Sequence, residues 1–413
     1  MKPAFIATCL FALLCAVLAD GTLGGEGQEG LISATVDASK MESTQPMVRV
    51  KPLPEGDGGI ASKHPGDAGI GDDPAVLFTE DFEEGAIDAI TPRWTASKNE
   101  GGEVFSLSDD APLVSEGRHS LEMTATRGRN NGGYLWKRFT PGVDAMYARA
   151  YVKFAEDHPY VHHFVKIGGW RDAGEFPLGE AGYKHDGTKS FQTGLEPTSQ
   201  WGRHAPPGAW FLYTYWADMK SYQGPAGKAF YGNAFLPKEP QQVPRGKWQC
   251  VEFMVKLNSA PERHDGEQAF WIDGKLAGRW APNTPFGIWV KDSFVIDDKG
   301  KAFEGFRWRT APDLKINTFW LLYYMQQVFD GHAQFRVRPG ITVNPDVTRV
   351  WFDDLVIATE YIGPIRRPGA HVESTEAACS AESTSEGDAT SGCRKCHSPG
   401  DARLKSDTDR NAR

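Results

Sequence analysis

Between residues 75 and 365 the chain is a succession of short apolar and aromatic runs, each closed by Gly, Pro, Asn or Asp, and this punctuation limits the folds open to it. The runs fall at 76–83, 120–125, 134–139, 146–154, 162–167, 210–216, 248–257, 268–272, 317–325 and 349–358. They are rich in β-branched and aromatic residues, which suit a pleated, half-buried surface. No segment sustains the 3.6-residue apolar period of a helix. Many strands with turns between them predict an all-β domain, a sandwich or a barrel. Asp273-Gly274 is a two-residue hairpin signal, joining Ala269-Phe270-Trp271-Ile272 to Lys275-Leu276-Ala277.

The flanks read differently. Lys2, an apolar run over 5–18 and small Ala19 predict a signal peptide over 1–19, and hence a secreted, periplasmic or extracellular protein. Residues 20–74 are rich in Gly, Asp, Glu, Ser and Pro and predict a low-complexity linker, with Ile60 and Ile70 as spaced anchors for docking its end. Residues 366–413 predict a disordered polar tail. Beyond the leader, Cys250 stands alone in the folded region, so burial rather than disulfides must hold the core. A net charge of -9 argues against nucleic acid as a general partner. No stretch after the leader is long and apolar enough for a membrane span. The 13 Trp imply a large core, a sugar-stacking surface, or both.

Gly246-Lys247-Trp248, running to Val255-Lys256-Leu257-Asn258 and then to Phe270-Trp271-Ile272-Asp273-Gly274-Lys275, resembles the jelly-roll polysaccharide lyases of the alginate lyase and glucuronan lyase type. In those families a G-K-W strand ending in V-K-L-N leads to a W-x-D-G-K hairpin. The opening segment 77–83 and the closing segment 350–358 also fit, as they fit many lectin-like domains. The resemblance covers 75–365. It implies an antiparallel β-sandwich, a concanavalin A-like jelly roll, that cleaves a uronate-containing polysaccharide by β-elimination. The families' groove strand K-L-P-G-x-x-G-G is matched by Val165-Lys166-Ile167-Gly168-Gly169, without the Pro and with closer glycines. Their tyrosine-bearing strand is matched by Leu212-Tyr213-Thr214-Tyr215-Trp216. Where they carry an Arg between these two strands, this chain reads Ser190-Phe191-Gln192-Thr193-Gly194-Leu195.

Elimination at a uronate needs one group against the carboxylate, one to take the C5 proton and one to protonate the departing oxygen. Strand alternation puts His162, Phe164 and Lys166 on one face and sends His163, Val165 and Ile167 to the core. Phe211, Tyr213 and Tyr215 likewise share a face. The expectation is Lys166 as carboxylate partner, His162 as base or positioner, and Tyr213 or Tyr215 as proton donor. Trp210 with Tyr323 or Tyr324 is expected to form a sugar-stacking floor, and Glu252 to look into the groove. Arg118, Arg127, Arg129, Lys137 and Arg138 would form a basic patch for a polyanion.

Each residue also has a plainer reading, as a satisfied structural histidine, a solvated lysine or a packed tyrosine. A non-catalytic lectin-like domain is the alternative for the whole. Glu80 and Asp354, beside Asp81 and Asp353 on the first and last strands, are candidate ligands for a structural Ca²⁺. Cys393, Cys396 and His397 match the C-x-x-C-H haem-attachment pattern, which makes a haem-bearing exported protein a second alternative. No Met follows as a second axial ligand, so haem c is not the expected cofactor.

Overall fold

The structure, a computed structural model, describes residues 51–172, 181–344 and 346–367. The predicted signal peptide, the start of the linker, and Cys393, Cys396 and His397 lie outside the described residues.

The apolar runs do form strands, and alternation along them sorts side chains between an interior and two outer faces. In sheet order the first sheet is β13 (Lys275–Trp280), β12 (Glu267–Ile272), β11 (Gln249–Lys256), β6 (Ala145–Phe154), β18 (Val347–Ala358), β4 (Ser120–Thr126) and β3 (Phe105–Ser108). β1 (Val76–Glu80) pairs with the far end of β18. The second sheet runs β16 (Lys301–Ala302), β14 (Phe286–Val290), β15 (Ser293–Ile296), β10 (Asn233–Phe235), β9 (Ala209–Tyr215), β8 (Ser190–Thr198), β7 (Lys166–Trp170), β17 (Ile316–Tyr324), β5 (Gly132–Val143) and β2 (Ala96–Lys98). Neighbours are antiparallel except β10 and β15, which run parallel. The result is the expected all-β sandwich.

The core lies between the sheets. Phe164 stacks on Phe352 at 5.2 Å between ring centroids, and Phe154 meets Trp210 at 6.2 Å. Buried Gln268 on β12 accepts hydrogen bonds from Thr193 on β8 (2.9 Å) and Thr214 on β9 (3.0 Å), tying the two sheets together.

Residues 51–74, expected as the end of a linker, are packed on the outer face of the first sheet. Ile60 and Ile70 are buried against Val356, Ala358 and Ile362. The Ile60 and Ala61 amides donate to the Tyr361 and Ile362 carbonyls at 3.0 and 2.9 Å. Fully buried Arg149 on β6 pairs with Asp67 and donates to the Asp354 and Gly363 carbonyls, so this cover is polar as well as apolar.

Candidate active site

The outer face of the second sheet carries the candidate site. Residues opposite one another on paired strands point to the same face. One such row crosses the sheet as Trp136, Trp320, Lys166, Gly194, Tyr213 and Ala234. The next runs Arg138, Thr318, Gly168, Gln192 and Tyr215. A pocket beside Lys166 is lined by Trp136, Gln192, His185, Thr318 and Trp320.

Gly194 is the gap in the first row, and a side chain there would displace the carboxylate that fills it. A Cβ there would lie 2.8 Å from Oε1 of Glu196, two residues along the same face of β8. The buried Glu196 carboxylate therefore folds back over Gly194. It meets Nδ1 of His163 at 3.1 and 3.2 Å, and Nζ of Lys166 at 3.9 Å. Lys166 Nζ also lies 5.6 Å from the centre of the Trp320 ring. His163 keeps 24% of its side chain exposed and stacks on His162 at 4.1 Å. Its ring also packs 5.6 Å from Tyr213 and 6.2 Å from Tyr324. Tyr213 and Tyr215 pack edge to face at 5.6 Å.

Burial sets the electrostatics. It pushes the Glu196 carboxyl up to about 7, against the pull of Lys166 and His162. It lowers Lys166, with Glu196 opposing. Burial also holds His162 and His163 far below their ordinary value, with positive Lys166 adding to the effect on His163. Both Tyr213 and Tyr215 are raised by burial, and the two hydroxyls interact. At neutral pH the site thus holds neutral imidazoles, protonated phenols and a carboxyl near its midpoint.

Lys166, Tyr213 and Tyr215 lie on one face, as alternation requires. The two histidines need correction. β7 begins at Lys166, and the segment 162–165 before it is irregular, with His163 bridging to Tyr324. Alternation does not extend through it, and His163, sent to the core by that pattern, is the histidine beside Lys166 and Glu196. His162 has a buried, unpartnered Nδ1 and packs on Tyr324 at 5.1 Å.

Other candidates move out of the groove. Trp210 is fully buried between the sheets and donates its ring N–H to Gln249 at 2.7 Å, because it alternates with Phe211 and Tyr213. Tyr323 is also fully buried, bonded to His158 (2.7 Å) and Thr348, whereas Tyr324 faces the histidines. Glu252 lies on β11 of the opposite sheet and accepts from the Ile362 and Gly363 amides at 2.8 and 2.9 Å. Members of the basic cluster are engaged by neighbours: Arg127 pairs with Asp346, Arg129 with Glu103, and Lys137 donates to the Arg93 carbonyl. Arg138, on the groove face, is tied to the Trp170 and Asp172 carbonyls.

Glu80 lies with Asp81 and Glu84 in a group of carboxylates close enough to share an ion. Glu80 is buried against Arg93 and the Trp94 ring N–H, while Asp354 accepts from Ser115 at 3.2 Å. Asp353 and Asp354 are the closer couple. Both are buried, each has an unpartnered Oδ2, and both carboxyls are raised by burial, with the Asp354 charge adding at Asp353.

Glu196 and Gln192 escaped the sequence reading, and the usable signal was their period-two spacing with Gly194 on one strand. Neither a protein-family model nor a curated protein matches the chain. Among solved structures it is similar to alginate lyases and a glucuronan lyase. An alginate lyase from Chlorella virus shares 13% identity over 69% of this chain and 100% of its own, with a TM-score of 0.42. An alginate lyase from Aplysia kurodai shares 13% over 69% and 99%, with a TM-score of 0.44. An endo-beta-1,4-glucuronan lyase from the fungus Trichoderma reesei shares 16% over 69% and 95%, with a TM-score of 0.38.

Proposed function

We propose that the chain is a secreted lyase that cleaves a uronate-containing polysaccharide by β-elimination. The observation that carries this reading is the gathering of Lys166, His163 and Tyr213 around the gap at Gly194. Lys166 and Tyr213 stand two strands apart on one face, on either side of Gly194 and the Glu196 carboxylate folded over it, and a uronate ring would lie across them. The Lys166 ammonium and the Gln192 amide face the uronate carboxylate and stabilise the charge that grows as C5 loses its proton. A neutral imidazole, His163, takes that proton. The C5–H electrons form the C4–C5 double bond, the C4–O4 bond breaks, and the Tyr213 hydroxyl protonates the departing oxygen. The proton on His163 then restores Tyr213 through solvent, so the cycle consumes no other reactant.

The test is a panel of alginate, glucuronan and mixed uronate polymers, read by the ultraviolet absorbance of unsaturated product. Lys166→Ala and Tyr213→Phe are each expected to lower the rate about 100-fold or more without unfolding. Glycan binding with no product from any polymer would replace this reading with a lectin-like one.

The same proposal includes a structural cation. Hard oxygen ligands suit Ca²⁺, and two buried, unpartnered carboxylate oxygens on Asp353 and Asp354 fit it. Among the described residues no helix is long and apolar enough to cross a membrane.

A further inference from the structure

We propose that Glu196 is a positioning residue, whose carboxylate accepts the Nδ1 proton of His163 and so leaves Nε2 as the basic nitrogen of the site. This inference rests on the lyase reading for its catalytic consequence. A neutral imidazole has one proton and two possible homes for it, and the hydrogen bond at one nitrogen decides which is occupied. Here the partner at Nδ1 is a carboxylate, 3.1 and 3.2 Å away through its two oxygens. When ionised it can accept and cannot donate, so the proton sits on Nδ1.

The surroundings are built for this carboxylate. Glu196 leaves 3% of its side chain exposed, and its carboxylate occupies the room that the missing side chain of Gly194 provides. The titratable and charged groups facing it are Lys166 on β7, His162 and His163 from the segment before it, and Tyr213 and Tyr215 on β9. Lys166 is its nearby cation at 3.9 Å, and it favours the ionised form against the cost of burial.

The arrangement also makes the site reversible with pH. Once protonated, Glu196 becomes a donor. It then donates a hydrogen bond to a bare Nδ1, having taken the Nδ1 proton, while a solvent proton settles on Nε2, where it blocks C5 proton removal. The change falls where Glu196 titrates, near 7. His163 itself stays uncharged there, because burial holds it far lower.

The experiment uses the whole chain, labelled with ¹⁵N in its histidines, with His163→Asn to assign the ring signals. The expected spectrum has His163 protonated at Nδ1 above pH 8 and at Nε2 below pH 6. A proton on Nε2 at pH 8, or an imidazolium at pH 6, overturns the proposal. In lyase assays on the uronate panel, the wild type is expected to lose kcat/KM below pH 7. Glu196→Gln cannot titrate, so its profile should be flat from pH 6 to 8. Glu196→Leu should lower kcat about 100-fold at pH 8, with KM changed less than threefold. A retained acid limb in Glu196→Gln, or an unchanged kcat in Glu196→Leu, overturns the role. Urea midpoints for both variants separate this from unfolding. A wild type inert on every polymer sinks the lyase reading and the base role together, and the ring spectrum then decides the hydrogen bond by itself.

Discussion

Tyr323 and Tyr324 are adjacent in sequence, and the fold gives them opposite duties that two hydroxyl deletions separate. Tyr323 is fully buried between the sheets. Its hydroxyl links His158 Nε2, at 2.7 Å, to the Thr348 hydroxyl. His158 Nδ1 lies 2.7 Å from the Pro159 carbonyl, and the Tyr323 hydroxyl donates to Thr348. Burial holds His158 down at about 3, so it stays neutral. Tyr323→Phe therefore leaves His158 and Thr348 without their tyrosine partner in a dry interior. An unpartnered buried group costs about 1–3 kcal/mol. In a domain this large each kcal/mol moves the melting temperature by about 2–4 °C, so a fall of roughly 2–12 °C is expected. Tyr324 is half-buried and its ring lies 5.1 Å from His162 on the groove face. Tyr324→Phe should change stability by less than about 0.5 kcal/mol, and any loss should appear in glycan binding. Urea unfolding followed by tryptophan fluorescence measures the first effect, and affinity electrophoresis in uronate gels the second. A Tyr323→Phe protein as stable as wild type, yet impaired in binding, would refute this assignment of faces.

Stability should respond to the buried carboxyls. Burial raises Glu252 from 4.5 to about 7, so its contribution is fullest below pH 4.5 and is lost as pH rises through 7, a fall on the order of 3 kcal/mol. Urea midpoints should therefore decline from pH 5 to pH 8, and a smaller decline is expected in Glu252→Gln. Asp73, Glu83 and Asp218 are lowered, and their contributions vanish as pH falls through their folded-state values, so acid unfolding should begin below about pH 4. Removing Ca²⁺ with chelator should destabilise the wild type, whereas Asp353→Asn should be the more stable protein in chelator and gain little from added Ca²⁺; equal responses would exclude a cation there. Ile60→Ala should cost about 2–5 kcal/mol in the same unfolding assay if the 51–74 segment is part of the folded unit.

The sandwich was legible because its signal is local and repeated: alternating runs, turn residues and the Asp273-Gly274 hairpin each point to the same class. The same alternation places Lys166, Tyr213 and Tyr215 outward and Trp210 and Tyr323 inward, so Tyr324 is the tyrosine left for the groove, and Trp210 was placed there by residue type against its period. His163 was beyond that rule. Its neighbours at 162–165 carry β-like residues yet stop short of the strand, and a one-residue displacement of the strand start changes which side chain reaches the site. Glu196 was hidden for a different reason. A glutamate on a strand reads as a solvated charge until the residue two positions earlier is seen to be a glycine that leaves room for its carboxylate. Residue 194 thus sets the chemistry of a strand that lacks the arginine the resemblance would place there. Under the proposed function, Lys166 would meet the substrate carboxylate without that cation and with Glu196 already 3.9 Å away. Protonating Glu196 would leave Lys166 more electropositive while taking the base out of service. Substrate binding and proton removal should therefore have opposite pH dependence, with binding tightest below pH 7 and turnover fastest above it. A binding affinity that rises with turnover across that range would show that Glu196 does not couple the two.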